Sequence, residues 1–181
     1  MTIVAAATSL IDVVTSREGL GNTGIVLIVG PNRKENLFNY RDRPSDANYL
    51  PSASDLHSAT IKYVFPPYPL SGQTDRHSLY NDNLTRYNSS NFTEGQYPAI
   101  EQGFGSQNPA VNNASSLLGT TNENGAAVAV GWARPQSNLV DWLLIVEQAH
   151  EEAWAPIIKL RNIVLACVFV STRILRVFPP L

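Results

Sequence analysis

The chain has 181 residues, of which 44% are hydrophobic and only 15% charged, with a formal net charge of −2 and a pI near 5.9. That is one ordinary domain with enough apolar content for its own core. No Lys/Arg cluster is present to neutralise phosphates, which excludes a nucleic-acid role, and the single cysteine, Cys167, excludes an internal disulfide or a cysteine-rich metal site.

The N-terminal stretch MTIVAAATSLIDVVTSREG carries Asp12 early and no basic leader, so it does not read as a signal peptide. Residues 8–18 read as a short amphipathic connecting helix. Thr8 or Ser9 caps it, Leu10, Val13, Val14 and Arg17 share helical spacing, and Gly19-Leu20-Gly21 stops it. GIVLIVGPN (24–32) is β-branched and closed by a Pro-Asn turn, which predicts a central strand. NLFNYRD (36–42) alternates and reads as its hairpin partner. SASDLHSATIKYV (52–64) reads as a capped helix with Leu56, Ala59 and Tyr63 on one face.

From Phe65 the chain turns polar, rich in Asn and Ser and broken by Pro66, Pro67, Pro69, Pro98 and Pro109. Such a stretch predicts a surface insertion, about 66–122, outside the core. GAAVAVGWARP (125–135) and VDWLLIVEQ (140–148) predict two strands joined by a polar turn at Gln136-Ser137-Asn138. A helix follows from Gln148, with Pro156 expected to kink or restart it. The order predicts an α+β fold: a PAS-like antiparallel sheet flanked by helices, with a long polar insertion and a C-terminal exit helix. The segments are a connecting helix (1–18), a sheet module (19–148), an exit helix (149–170) and a tail (171–181).

Three motifs bear on chemistry. GLGNTGIV (19–26) fits G-x-G-x-x-G-x-V, the pattern of dinucleotide and kinase phosphate loops. A dinucleotide site needs a strand before and a helix after the glycines, and here that order is reversed. The kinase lysine and its H-R-D and D-F-G partners are missing. The expectation is a tight turn built on Gly19, Gly21, Thr23 and Gly24. His150-Glu151 and Pro156 approach the H-E-x-x-x-P phospho-acceptor box, but the proline stands one residue late, so the pair reads as a helix start. Trp132 and Trp142 read as core aromatics, with a ligand pocket as the other use of such residues. No catalytic set, metal cluster or cofactor motif is singled out, and a small hydrolase has no site to work with.

Four N-x-S/T sequons, at Asn83, Asn88, Asn91 and Asn113, fall in the stretch read as an exposed insertion. That placement is where glycans attach if the chain is exported.

The blocks GLGNTGIVLIVGP, ENGAAVAVGWARP and LVDWLLIVEQAHEEAWAPIIKLRNIVLACVF together resemble one family over residues 1–169. It is the extracellular sensor region of fungal osmosensing hybrid histidine kinases, at its membrane-proximal double Cache (PAS-like) module. The resemblance implies an extracytoplasmic sensor at the plasma membrane, acting as a homodimer in a full-length receptor. Its exit helix enters the membrane and feeds a His-to-Asp phosphorelay in osmotic and cell-wall stress signalling. Kinase and receiver lie outside this chain, so no catalytic residue carries over, and neither cofactor nor ligand is specified. Trp154 and Pro156 are the expected signal-transmission hinge. The alternative is a secreted or surface glycoprotein that binds a partner without signalling.

The tail raises a separate expectation. A spanning helix needs about 20 apolar residues, whereas only eight run from Ile163 to Val170 before Ser171 and Arg173. Arg173 and Arg176 then carry an insertion cost. Val170-Ser171 can be encoded by GTGAGT, a splice-donor sequence, so residues 170–181 are expected to be translated intron at the end of a truncated transmembrane helix.

Overall fold

The structure, a computed structural model, describes residues 8–16, 18–39, 50–65, 92–106, 113–137 and 139–177, with the side chains of residues 8, 9 and 174–177 left undescribed. Its frame is one antiparallel sheet of five strands: β1 (Ile25–Pro31), β2 (Ile61–Tyr63), β3 (Ala114–Thr121), β4 (Ala127–Ala133) and β5 (Leu143–Ala149), in the order β2-β1-β5-β4-β3. The helices are α1 (Thr8–Thr15), α2 (Ala53–Ser58), α3 (Pro98–Gly105) and α4 (His150–Val177). The expected α+β class with an antiparallel sheet and flanking helices is what the chain forms.

β1 is buried along its whole length, which is why its sequence is apolar without alternation. It pairs with β2 on one side and β5 on the other. Ile25, Leu27 and Val29 face the main core, while α1 packs against β1 and Val26 and Ile28 are also buried. β4 and β5 alternate, and Val128, Val130, Trp132, Leu143 and Ile145 enter the core. α3 covers this face closely. A Cβ on Gly103 would stand 2.6 Å from Leu143 Cδ2, so glycine permits the approach. Asn122 closes the β3–β4 hairpin, its Oδ1 accepting from the N–H groups of Asn124 and Ala126, both at 2.9 Å.

Several expectations are corrected. Residues 36–39 are not a hairpin partner of β1. Glu35 and Asn36 take positive φ (62° and 54°), and Phe38 N–H donates to the buried Asp141 carboxylate at 2.9 Å instead of to a strand. Residues 40–42 lie outside the described residues. The helix expected over 52–64 lasts six residues, started by Ser52, whose hydroxyl accepts from Asp55 N–H. It ends at Ala59, which turns extended (ψ 138°), and the rest becomes β2 because Ile61 is drawn into the core.

The polar insertion also fails at its C-terminal end. Phe92, Tyr97, Ala99, Ile100 and Phe104 are all core residues, and Phe104 stacks edge-on against Phe38 at 4.9 Å. Pro98, read as a breaker, occupies the first turn of α3, where a missing N–H costs nothing. Residues 114–121, also assigned to the insertion, form edge strand β3. Asn83, Asn88 and Asn91 lie outside the described residues. Asn113 does not fit the expected exposure: it is only 5% accessible, in a turn at φ 53° whose carbonyl accepts from Arg134 N–H at 3.1 Å.

α4 runs 28 residues, about 42 Å, continuously across Pro156. Its first residues pack on the sheet, and every residue from Ala155 to Arg173 is exposed. The helix His150–Arg173 is long and apolar enough to cross a membrane by length and composition alone, and an 18-residue window within it has a mean hydropathy of 1.7. Before Ile163, the exposed Ile157, Ile158 and Leu160 add apolar surface on either side of Lys159 and Arg161.

Candidate functional site

The most organised polar cluster lies where α4 leaves the sheet. The turn between α1 and β1 places Gly19 and Gly21 at φ 76° and 68°, a region that costs a side-chain-bearing residue. This bends the backbone so that successive N–H groups point outward, towards the start of α4. Glu152 occupies that concavity. Its carboxylate accepts from Asn22 N–H at 2.7 Å, from Thr23 N–H at 2.8 Å and from the Thr23 hydroxyl. A Cβ on Gly21 would lie 2.3 Å from Glu152 Oε1, so glycine suits the positive φ there and a side chain would also push the carboxylate out of this position.

Two further bonds tie the turn to the end of β5. The Thr23 hydroxyl accepts from Ala149 N–H at 3.0 Å, and Gln148 Nε2 donates to Leu20 O at 3.2 Å. The Asn22 N–H, then the Thr23 hydroxyl, hold the Glu152 carboxyl below its ordinary value of 4.5, against a smaller opposing effect of burial. Donors that favour the anion keep it charged. The glycine motif therefore binds a carboxylate of its own chain, using the backbone-donor geometry that phosphate loops offer to a ligand.

The other side of α4 is held by β3. The β3–β4 register shifts between Leu117 and Thr120. At this bulge the Leu118 carbonyl accepts from Trp154 Nε1 at 3.1 Å, with His150 Nδ1 at 3.2 Å, and the two rings lie 5.6 Å apart. Leu118 itself stands exposed on the edge strand. The first turn and a half of α4 is thus pinned on one side by the glycine turn and on the other by an edge strand. Pro156 follows two residues after the last anchor. It cannot donate to the Glu152 carbonyl four residues back, so the helix backbone is weakest just past the pinned segment.

The expected site residues separate. Gly19, Gly21, Thr23 and Gly24 form the turn that closes on Glu152, while Trp154 is held by Leu118 on the other side of the helix and Pro156 lies exposed two residues beyond it. Gly24 is buried in the turn, its N–H donating to Leu20 O at 3.1 Å. Trp132 is a core residue against Gly103 and Leu143. Trp142 is half-buried beside Gly30 and joins neither the junction nor Trp132 in a common pocket. Glu152, the centre of the cluster, was not singled out in the sequence, and His150 was read only as a helix start. An acidic residue in the first turn of the helix that follows a distant glycine turn was the sole signal. Among the described residues no group of three or more metal-ligating side chains forms.

Comparison of the chain with protein-family models, with curated proteins and with solved structures finds no match in any of the three.

Proposed function

We propose that this chain is a membrane-proximal, extracytoplasmic PAS/Cache-like sensor module of a receptor of the hybrid histidine kinase kind. It does no chemistry itself. It receives a stimulus in the sheet domain and passes a displacement down α4, whose Ile157–Arg173 part lies in the plasma membrane. In a full-length receptor it acts as a homodimer upstream of a phosphorelay in osmotic or cell-wall stress signalling.

The observation that carries this reading is the asymmetry of α4. Its head is pinned by Glu152, His150 and Trp154 to two separate parts of the sheet domain, and the stretch from Ala155 to Arg173 is exposed and mostly apolar, with Lys159, Arg161 and Arg173 as its charged residues. A helix so held follows any relative movement of the α1–β1 turn and the β3 edge. Such coupling is what a relay through this helix would use. The strand order β2-β1-β5-β4-β3, with α2 and α3 between β2 and β3, supports a PAS-like module.

The test has two arms. Reconstitution into phosphatidylcholine vesicles followed by flotation and protease protection should leave residues beyond Ile163 protected. A chain fully recovered in the lipid-free fraction removes the membrane half of the reading. Residues 1–173 fused in helical register to a histidine-kinase body should give a basal autophosphorylation rate that Glu152→Ala changes. An unchanged rate in a fusion that stays active removes the relay half.

A further inference from the structure

On the core face of the sheet, α2 and α3 part to leave a cleft of about 460 Å³, within the size range of small-molecule sites. Leu56 forms apolar wall, while His57, Glu101, Gln102 and Ser106 supply its polar groups. Gly105 lines it without a side chain, and a Cβ there would meet nothing nearer than Leu56 Cδ2 at 4.0 Å.

The titratable groups at this cleft are one histidine and two carboxylates. Behind the His57 ring stands Glu94, only 6% exposed, with Oε1 2.5 Å from His57 Nδ1. Its Oε2 is buried and has no hydrogen-bond partner. An anionic oxygen buried without a donor is costly unless a cation or donor offsets it. Among the described residues no Lys or Arg lines the cleft. The nearby Arg33 is engaged elsewhere, donating to Phe38 O at 2.6 Å and Ser58 Oγ at 2.7 Å, with Asp55 at 3.8 Å. Glu101 adds a second carboxylate on the α3 side. With Nδ1–H donating to Glu94, His57 presents Nε2 as an acceptor. Its side chain is 64% exposed, so that acceptor is within reach of solutes.

We infer that the cleft binds a small primary ammonium ion carrying a short apolar body. One ammonium N–H donates to His57 Nε2. The charge is met by Glu101 at the rim and by Glu94 behind the ring, and the apolar body lies along Leu56 over Gly105. Carboxylate and phosphate ligands are repelled by both acids. The inference stands on the cleft alone and does not require the relay reading.

The test uses the full chain in lipid nanodiscs, with histidine side-chain ¹⁵N NMR as the readout. n-Propylammonium is the probe. n-Propanol has the same body without charge, propionate the opposite charge, and tetramethylammonium charge without an N–H donor. Propylammonium should shift His57 Nε2 saturably, tetramethylammonium should bind about tenfold more weakly, and propanol and propionate should leave the signal unmoved. Glu101→Gln should weaken propylammonium about fivefold and Glu94→Gln by tenfold or more. Glu101 is exposed, so its variant keeps the fold and carries the test alone if Glu94→Gln does not fold. Equal binding of propanol overturns the inference. So does unchanged affinity in Glu101→Gln, or no saturable shift below about 100 mM propylammonium.

Discussion

Thr23 holds Glu152 twice, through its backbone N–H at 2.8 Å and through its hydroxyl, while that hydroxyl also accepts from Ala149 N–H at 3.0 Å. One threonine thus links the start of β1, the end of β5 and the head of α4. Thr23→Val keeps the shape and the N–H but leaves Ala149 N–H without its acceptor and removes one donor to the carboxylate. The expected loss is about 1–3 kcal/mol. Thr23→Val combined with Glu152→Gln should lose less than the sum of the two single changes, because the residues share one network. Urea midpoints of the four proteins check this, and strict additivity would show that the network does not act as a unit.

The pH dependence follows from the same carboxylate. Glu152 titrates below its ordinary value of 4.5 in the folded chain. Its contribution to stability is therefore fully present above the unfolded-state value. It is lost as pH falls through the lower folded value. Glu152→Gln should remove this component and flatten the acid limb of the stability curve while leaving the neutral region parallel to wild type. Thermal midpoints measured from pH 7 down to about pH 3 provide the comparison. An acid limb as steep as wild type would contradict the assignment.

Gly21 and Gly19 share positive φ but not surroundings. Alanine at either costs roughly 1–2 kcal/mol of backbone strain. At Gly21 the added Cβ also meets Glu152 Oε1, whereas at Gly19 nothing lies within 4 Å. Gly21→Ala should be the more damaging, and only it should raise hydrogen exchange at the Asn22 and Thr23 amides. Equal exchange in the two variants would count against the clamp.

Trp154→Phe keeps an aromatic six-membered ring and removes the indole N–H that donates to Leu118 O. The cost should be about 1 kcal/mol. Faster exchange should be confined to the head of α4 and the β3 bulge, read by hydrogen-exchange mass spectrometry. Global destabilisation of several kcal/mol would instead make Trp154 a packing residue.

Phe104 tests the membership of residues 92–106 in the core. Phe104→Ala should cost about 3–5 kcal/mol, because the ring is fully buried against Phe38. A surface insertion would tolerate the change with under about 0.5 kcal/mol. Chemical denaturation distinguishes the two.

Asn113 should remain unmodified when the chain passes through a glycosylating secretory route. Asn113 is buried in the folded state, Nδ2 included, so a sugar there does not fit the folded packing of the turn. Peptide mapping after enzymatic deglycosylation in heavy-oxygen water reads occupancy site by site. A glycan on Asn113 of folded protein would refute the packing of this turn.

Much of the architecture was legible in the chain. The apolar run of β1 demanded burial on both faces, the alternation of β4 and β5 fixed which side chains enter the core, and the long apolar C-terminal segment formed the helix it predicts. These signals are local and periodic, and hydrophobic burial enforces them wherever the strands pair. Residues 92–106 and 113–121 were misread because they are rich in Gly, Ser and other polar residues. Their few apolar members are spaced so that only the sheet's inner surface shows they face one way. The hairpin after β1 failed because Asp141, more than a hundred residues away, captured the Phe38 amide.

The candidate site divides in the same way. The sequence by itself determined that a glycine-rich turn stands before β1 and that a tryptophan, a proline and acidic residues open the last helix. Only the tertiary structure decided that the turn closes on Glu152, and that a bulge in β3 offers Leu118 to Trp154. The reason is antiparallel pairing of β1 with β5, which carries residues some 130 positions apart to one end of the sheet. A carboxylate finds its backbone donors there through a register that no local pattern encodes.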